Sequence, residues 1–336
     1  MIRLLVFNQD LGGFRFIAPL LRRLGQGDES LGLIHACQPR LREPTARLAG
    51  SAPILELPAD GLFTAEDWSR LLRSQEIAAV LCTHGNPKRA GGTTAGLITA
   101  ARDLNCPSLG FLDHWKWPQR FLDESGRLAY APDYLGVIDA SMLAAVAALG
   151  IAPERLSIIG HPVLEEVAAA PAPLASPLRL VLVSEIDPQR PGLGIFAKSD
   201  LLDRLQSLGA SMGLDPSYRP HPNESRECLP PGLAIDRHPW PDVLDAFDIF
   251  FGHDSMLLLE AAFHGRVAVK LPAPTMATPA SIPFSFGLAL EDVAALPGLL
   301  TRIQGGDGGA RPALDVAGSQ RRCYDLFCQF VSRLNS

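Results

Sequence analysis

Short apolar runs alternate with segments of helical spacing along most of the chain, and this alternation limits the fold more than any other feature. Apolar runs of strand length lie at 2–7, 31–36 and 78–82, and stretches with helical spacing follow the first at 14–24 and the third at 91–104. Parallel strands cannot be joined by tight turns, so strands that alternate with helices indicate parallel sheets with crossover helices. We therefore predict an α/β fold built from doubly wound parallel sheets.

The alternation is interrupted once, and this interruption predicts two domains. Residues 168–177 read AAAPAPLASP, a proline- and alanine-rich stretch typical of a linker. A length of 336 residues suits two domains of roughly 150 residues each. We predict an N-terminal domain over 1–167, a C-terminal domain over 168–318 and a final amphipathic helix within 319–336. In doubly wound folds ligands bind beyond the carboxyl ends of the strands, so we expect the site in the cleft between the domains.

Composition argues against several classes of function. Lys and Arg number 30 against 36 Asp and Glu, a net charge of −6, whereas nucleic-acid binding needs a basic surface. No apolar run approaches the roughly 20 residues of a membrane span, and the first residues lack the features of a signal peptide. None of the six cysteines forms a C-x-x-C pair. We expect a cytoplasmic protein in a reducing compartment that binds no metal, no cofactor and no nucleic acid.

Two polar segments of the N-terminal domain follow predicted strands. The first is NQDLGG at 8–13, where Gly12 and Gly13 let the backbone approach a ligand at a strand-to-helix turn. It lacks the G-x-G-x-x-G spacing of a dinucleotide site, and a plain tight turn is the alternative. The second, 83–94, combines His84 with basic and small residues, which suits either a sugar or phosphate contact or a solvated loop.

A third polar segment, 111–121, is the densest in polar and aromatic residues. Asp113 stands beside His114, and such a pair can supply a general base because His titrates near neutral pH. Trp115 offers a face for stacking on a sugar ring, and Arg120 lies in the same loop. The alternative is a surface loop whose aromatic rings pack on the domain.

Two segments of the C-terminal domain also carry candidate residues. In RPHP, two prolines restrict His221, and the adjacent Arg219 suits the phosphates of a nucleotide. In the segment 252–265 a helix starts near Ser255, and its free N–H groups can bind a phosphate. Glu260 falls in the apolar part of this helix and needs a partner there, either the ribose hydroxyls of a ligand or a nearby Arg.

The sequences RPHP at 219–222 and GHDSMLLLEAAFHGRVAVKL at 252–271 resemble the donor-binding half of GT-B-type glycosyltransferases, a superfamily that includes the UDP-N-acetylglucosamine 2-epimerases. The shared pattern is a His-Pro pair, a short strand, and then G-x-x-S followed by L-x-E-A-x-x-x-G. Segments 8–13, 90–114 and 133–167 are similar to the N-terminal half of the same superfamily. The resemblance implies two Rossmann-like domains, the first for the acceptor and the second for the nucleotide sugar, with the final helix packed back across the domain interface.

The resemblance also implies roles for residues of this chain. Donor binding falls to Gly12, Gly13, Arg219, His221, Ser255 and Glu260. Of these, His221 with Arg219 and Ser255 would contact the phosphates, while Glu260 would bind the ribose. On the acceptor side the candidates are His84, Trp115 and Arg120.

The activity that the resemblance favours is metal-independent transfer of a sugar from a UDP-, CMP- or CDP-linked donor to a hydroxyl of a glycan, lipid-linked or protein acceptor, as in surface polysaccharide biosynthesis. Asp113 or His114 is the candidate base. Two alternatives stay open: a sugar-nucleotide epimerase or hydrolase, and a non-catalytic nucleotide-sugar binder. FLDHWKWPQRF at 111–121 stands where the epimerases carry H-x-E-A-G-x-R, so the acidic pair that moves a proton at sugar C2 is not evident. The sequence determines neither the sugar nor the oligomeric state, and peripheral contact with a membrane stays open.

Overall fold

The structure of the chain divides into two compact units. It is a computed structural model that describes residues 1–26, 31–58, 63–85, 93–115, 120–168, 173–185, 200–212, 214–222, 224–225, 227, 229–230, 232–253, 255–271 and 282–335. The first unit comprises Met1–Glu165 together with Asp315–Ser336, and the second comprises Glu166–Leu314. Within the described ranges, no helix combines the length and the apolar character needed to cross a lipid bilayer.

The first unit is built on a seven-stranded parallel sheet with the order β3-β2-β1-β4-β5-β6-β7. Its strands are β1 (Ile2–Asn8), β2 (Leu31–Cys37), β3 (Ile54–Glu56), β4 (Ala79–Thr83), β5 (Ser108–Phe111), β6 (Tyr134–Val137) and β7 (Leu156–Ile158). The helices between them are α1 (Leu11–Leu24), α2 (Arg42–Ala49), α3 (Ala65–Ser74), α4 (Thr94–Asp103) and α5 (Ala140–Ala147), and α6 (Pro162–Val167) follows β7. Every residue of β4 is buried, as a central strand covered by helices on both faces requires.

The second unit repeats this architecture with a six-stranded parallel sheet in the order β10-β9-β8-β11-β12-β13. Its strands are β8 (Leu178–Val183), β9 (Leu214–Arg219), β10 (Ala234–Ile235), β11 (Ile249–Gly252), β12 (Val267–Lys270) and β13 (Leu288–Ala289). Its helices are α7 (Asp200–Met212), α8 (Val243–Ala246), α9 (Met256–Phe263) and α10 (Leu296–Gln304). The predicted α/β class with doubly wound parallel sheets is confirmed.

The last helix, α11 (Ser319–Leu334), belongs to the first unit although the second unit precedes it in the chain. Its first turn is held by Glu165, whose carboxylate accepts the backbone N–H groups of Gly318 and Gln320 at 2.7 Å each. A carboxylate that accepts these otherwise unpaired N–H groups stabilises the start of a helix. The amphipathic pattern of the sequence predicted this helix, but nothing in its spacing identified Glu165 as the residue that caps it.

Some elements differ from the sequence prediction. The two-residue strands β10 and β13 are too short to show an alternating pattern, and α2 reads REPTARLA, which has little apolar periodicity. A helix predicted over 290–303 begins only at Leu296, because the Asp292 side chain caps a separate 3₁₀ turn at Val293–Ala295. Short or polar elements thus take their conformation from tertiary packing.

The start of α1 lies against β4 because residue 13 has no side chain. A Cβ atom at Gly13 would overlap the side chain of Thr83. The same turn is fixed by Asp10, whose carboxylate accepts the Gly13 N–H at 2.9 Å, and by a 2.9 Å bond from the Thr83 hydroxyl to the Asn8 amide oxygen. Only glycine permits this approach of helix to strand.

Gly13→Ala is expected to lower the free energy of unfolding by about 1–3 kcal/mol, because the added methyl group must displace Thr83 or the helix. The matched control is Gly298→Ala in α10, where an added Cβ meets nothing within 4 Å and alanine is expected to stabilise by up to about 1 kcal/mol. Urea unfolding followed by circular dichroism measures both. Equal effects of the two substitutions would contradict the packing argument.

Candidate functional site

Three loops of the first unit meet where its parallel strands end, an edge called here the carboxyl edge. They follow β1, β4 and β5, which are neighbours in the sheet. Gly12 follows β1, His84 follows β4 and Asp113 follows β5. A Cβ at Gly12 would lie 3.3 Å from Oδ2 of Asp113, so the first and third loops are in contact. The second and third loops are described only in part, because 86–92 and 116–119 lie outside the described residues.

Asp113 and Arg120 form a largely buried ion pair. Nη1 of Arg120 lies 2.7 Å from Oδ1 of Asp113, and the two side chains are 15% and 11% exposed for Arg120 and Asp113 respectively. The same Nη1 donates to the backbone carbonyl of His84. The structure thus brings together three of the residues that the sequence singled out, and it gives the Asp113 carboxylate a fixed partner.

The imidazole of His84 is buried in this unit. It packs edge-on against Phe121 with ring centroids 4.9 Å apart, and its Nε2 lies against the backbone of Gly110. Burial, and then the charge of Arg120, lower the pKa of His84 to about 3. His84 is therefore neutral, and the group that it offers to the loop cluster is its backbone carbonyl.

The other two candidates of the third loop are tied to different elements. Nε1 of Trp115 donates to Oδ2 of Asp139 at 2.8 Å, while Oδ1 of that carboxylate caps α5. Burial, followed by the charge of the nearby His114, lowers the pKa of His161 to about 3. Trp115 therefore anchors the loop through its indole nitrogen, and His114 lies close to a buried, neutral imidazole.

The second unit gathers polar side chains at its own carboxyl edge. Arg219 is the last residue of β9 and forms an ion pair with the buried carboxylate of Asp236, which directly follows β10. Oδ1 of Asp236 also contacts Nδ1 of His238 at 2.6 Å. The sequence pointed to Arg219 but not to Asp236 or His238. The available signal was a further His-Pro pair, in DRHPW at 236–240, but the residues of β10 before it do not read as a strand.

A carboxylate also fixes the RPHP segment. Oε2 of Glu224 accepts the backbone N–H of His221 at 3.1 Å, and Oε1 contacts the hydroxyl of Tyr218 at 2.6 Å. The Tyr218 hydroxyl lies 2.7 Å from the hydroxyl of Ser184, which follows β8. This chain of bonds places His221 at the carboxyl edge beside the end of the central strand.

Helix α9 has the serine cap at its start and the partner for its buried glutamate that the sequence predicts. The side chain of Ser255 caps it and accepts the Leu257 N–H at 3.3 Å. Glu260 is 6% exposed, and its Oε2 accepts the indole N–H of Trp240 at 2.9 Å. A partner for Glu260 was expected from its burial, but the indole was not among those that the sequence suggested. Asp254, the residue before the cap, lies outside the described residues.

His221 and Ser255 stand at the same edge of the second sheet. They follow β9 and β11, and β8 lies between these strands. Two strand spacings correspond to about 10 Å. Among the described residues, no three His, Cys, Asp or Glu side chains form a group that could hold a metal ion.

Comparison with known proteins relates this chain to others by structure. No model of a known protein family matches it, and no curated protein sequence matches it either. The UDP-GlcNAc 2-epimerase from Neisseria meningitidis bound to UDP-GlcNAc is similar, with a TM-score of 0.64 and 11% identity over 99% of this chain and 100% of that one. The S. aureus MnaA–UDP co-structure gives a TM-score of 0.67 and 13% identity over 99% and 98%.

A further solved structure shares the fold as well. MurG from Acinetobacter baumannii matches with a TM-score of 0.56 and 14% identity, over 98% of this chain and 100% of that chain. All three likenesses are in the fold of two parallel-sheet α/β units. The resemblance in the sequence implied two Rossmann-like domains, and that fold is confirmed.

Acid is expected to destabilise the first unit through its buried imidazoles. The pKa values of His35, His84 and His161 are lowered by burial to about 4, 3 and 3, whereas an unfolded His has a pKa of about 6.5. Below pH 6.5 the unfolded chain therefore binds more protons, and stability falls as the pH drops towards 4. Three such groups give a slope of about 4 kcal/mol per pH unit.

His84→Gln is expected to reduce this slope by about 1.4 kcal/mol per pH unit, since one proton fewer is taken up on unfolding. Urea unfolding between pH 6 and 4.5, for the wild type and the variant, measures the difference. The quantity compared is the change in the free energy of unfolding per pH unit, and each protein's value at pH 7 is the reference. Parallel curves for the two proteins would show that His84 is not buried as a neutral ring.

The Asp113–Arg120 pair is expected to behave as one unit. Arg120→Met leaves a buried carboxylate without its cation and should lower the free energy of unfolding by about 3 kcal/mol. Asp113→Asn combined with Arg120→Met should cost clearly less than the sum of the single changes, because no buried charge remains. A double-mutant cycle measured by urea unfolding gives the coupling. Additivity within about 0.5 kcal/mol would mean that the two side chains do not interact.

Proposed function

We propose that this protein is an enzyme that cleaves the bond between the anomeric carbon of a UDP-linked amino sugar and its diphosphate. The observation that supports this most is the carboxyl edge of the second sheet. There the capped start of α9, the buried Glu260 and the segment carrying Arg219 and His221 lie on a fold shared with proteins whose structures hold UDP or UDP-GlcNAc. Ligands of doubly wound sheets bind at this edge.

In this proposal the second unit binds the nucleotide. The N–H groups at the start of α9, beside Ser255, suit a phosphate because the positive end of a helix attracts anions. The Glu260 carboxylate suits the two ribose hydroxyls, with Trp240 holding one of its oxygens in place. His221, whose backbone is fixed by Glu224, is a second phosphate contact. Charge-assisted bonds of this kind stabilise the leaving diphosphate.

The first unit supplies the groups that act on the sugar. Gly12, His84, Asp113 and Arg120 lie together at its carboxyl edge, and Asp113 is the candidate for moving a proton. Trp115 and His114 belong to the same loop. The Arg120 bond orients the Asp113 carboxylate, so one of its oxygens is held while the other lies beside Gly12.

Epimerase-type chemistry is the first candidate reaction, because solved UDP-GlcNAc 2-epimerases are among the structures that this chain resembles. A base removes the proton at sugar C2, the electron pair forms a C1–C2 double bond, and the C1–O bond breaks so that UDP leaves with its electrons. UDP then adds back to C1, and a proton returns to the opposite face of C2. Water in place of UDP at C1 gives the hydrolytic variant.

Glycosyl transfer is the second candidate, favoured by the surroundings of Asp113. Its described partner is the cation Arg120, not a second carboxylate that could serve the opposite face of C2. Direct displacement needs a single base: an acceptor hydroxyl loses its proton to that base and attacks C1, and UDP departs with the C1–O electrons. One carboxylate meets this requirement.

Incubation with UDP-N-acetylglucosamine in D2O without an acceptor distinguishes the two reactions. An epimerase or hydrolase should place deuterium at C2 and form the manno-configured sugar, with both changes visible by NMR. A transferase should leave the sugar unchanged until an acceptor is added. Asp113→Asn, which keeps a hydrogen bond to Arg120, should lower turnover by at least about 100-fold in either case. Asp103→Asn, at an exposed position at the end of α4, is the matched control.

Binding of the nucleotide is tested separately by thermal shift with UDP, CMP, CDP, GDP and ADP. UDP at a hundredfold excess over its dissociation constant should stabilise the fold by about 2.7 kcal/mol. Stabilisation without turnover of any sugar would identify a non-catalytic binding protein. Absence of stabilisation by every nucleotide would contradict the proposal.

A further inference from the structure

A cavity of about 360 Å³ lies at the amino edge of the first sheet, and this volume is within the range of small-molecule sites. Tyr134, the first residue of β6, is part of its wall, whereas Asp113 of the candidate site follows the other end of β5. The 4 residues of β5 therefore separate the cavity from the candidate site by about 13 Å. The lining includes Arg102, Asn105, Cys106, Tyr134, Phe330 and Arg333.

The buried part of the lining is apolar and aromatic. The rings of Phe330 and Tyr134 meet edge-on with centroids 5.8 Å apart, and Phe330 is 2% exposed. Burial, and then the charge of Asp133, raise the pKa of the Cys106 thiol to about 11. This thiol is therefore protonated at neutral pH and behaves as a small hydrophobic group. Such a surface suits the flat apolar body of a ligand.

Two arginines from distant parts of the chain stand at this cavity. Arg102 lies in the last turn of α4, and its Nη2 donates to the backbone carbonyl of Ala131 at 3.4 Å. Arg333 lies in the last turn of α11, with its guanidinium 4.6 Å from the centre of the Tyr134 ring. A guanidinium that stacks by its face directs its N–H groups sideways, in its own plane. Both arginines are exposed, so each cation is restrained by the protein and reachable by a ligand.

The carboxylate in the lining is balanced by a cation outside it. Oδ2 of Asp133 accepts bonds from the backbone N–H and the hydroxyl of Ser108 at 2.9 and 2.7 Å. Its Oδ1 lies 4.0 Å from Nη2 of Arg155, which does not line the cavity. Asp103, beside the first arginine in the chain, is exposed and lies outside the lining as well. The cavity therefore presents the charges of its two arginines, in a protein whose net charge is −6.

Two helix ends reduce this positive charge and so select the charge of the ligand. Both α4 and α11 end at the cavity, and the C-terminus of a helix carries about half a negative elementary charge. Two cations and two such ends leave about one positive charge, which a single carboxylate neutralises. A singly charged anion therefore matches the cavity better than a doubly charged phosphate ester or an amine.

We infer that this cavity is a second ligand site, which binds a small organic monoanion: a carboxylate on a flat apolar ring. Arg102 and Arg333 hold the carboxylate, and the ring lies against Phe330 and Cys106. A carboxylate suits two guanidinium groups from separate helices, because each of its oxygens can accept N–H groups from a different arginine. The site shares no residue with those assigned to the nucleotide or the sugar, so it does not depend on the proposed function.

Isothermal titration with three naphthalene probes tests the class of ligand. On the same ring, 2-naphthoate carries an anion, 2-naphthalenemethanol carries no charge and 2-naphthylmethylamine carries a cation. The naphthoate should bind most tightly, and the alcohol at least about tenfold more weakly because the charge-assisted bonds are lost. The amine should bind more weakly still. Equal binding of the naphthoate and the alcohol, or no binding of the naphthoate, would overturn the inference.

Substitutions of the two arginines locate the site. Arg102→Gln and Arg333→Gln should each raise the dissociation constant of 2-naphthoate by at least about fivefold. Arg102→Glu reverses the net charge of the cavity, so the amine should then bind more tightly than the naphthoate. The matched control is Arg321→Gln, which changes an exposed arginine near the start of α11, outside the lining. It should bind the naphthoate like the wild type.

The outcomes separate this inference from the proposed function. Binding of the naphthoate that both Gln variants retain in full would place the ligand elsewhere and overturn the inference. A preference for the naphthoate that survives Arg102→Glu would overturn it as well. Naphthoate binding that depends on both arginines, in a protein that binds no nucleotide, would support the second site and contradict the proposed function alone.

Discussion

Parallel pairing sends every strand of a sheet in one direction, so the loops after the strands collect at a single edge. In the first unit this constraint brings together the segments that carry Gly12, His84 and Asp113. The first and the last of these segments are about 100 residues apart in the chain. In the second unit it joins Arg219, Asp236 and Ser255 at one edge. The chemistry of the protein depends on this geometry, because the polar residues are far apart in the chain and no local turn brings them together.

Buried carboxylates occur at both edges of the second sheet, and their bonding differs. Asp248 precedes β11, at the amino edge, and accepts bonds from the backbone of Ala175 and from the backbone, Nε and Nη2 of Arg179. Burial would raise the pKa of Asp248, but these bonds outweigh it and lower the pKa. Nη1 of Arg179 meanwhile reaches the carbonyl of Asp245, so each part of the guanidinium has a partner. That arrangement stabilises the fold and leaves no group for a ligand.

In the ion pairs at the carboxyl edges, the described bonds use only part of each arginine guanidinium. Arg219 and Arg120 both make their described bonds through Nη1 alone, although both side chains are less than a fifth exposed. A buried guanidinium normally has its donors satisfied, because each lost hydrogen bond costs free energy. Arg120 and Arg219 therefore differ from Arg179 in how fully their guanidinium groups are bonded. Arg179 uses every part of its guanidinium in bonds to the protein, whereas the described bonds of Arg120 and Arg219 use Nη1.

The sequence indicated the fold well where elements are long and apolar. It predicted a final helix within 319–336, where the structure has Ser319–Leu334, and it placed the polar loops after the correct strands. It missed Asp236 and His238, because they follow a two-residue strand and their importance lies in a contact with Arg219 some 17 residues away. It also could not give Trp240 as a partner of Glu260. Such long-range pairs are decided by packing, and one sequence carries no local signal for them.

The choice between the two proposed reactions depends on how the Asp113 carboxylate is used. Arg120 occupies Oδ1, while Oδ2 lies towards Gly12, where the absence of a side chain leaves room. A carboxylate held in this way can accept a proton on one oxygen without losing its partner on the other. Displacement by an acceptor requires no more than this. Epimerisation requires in addition a group that returns a proton to the other face of C2.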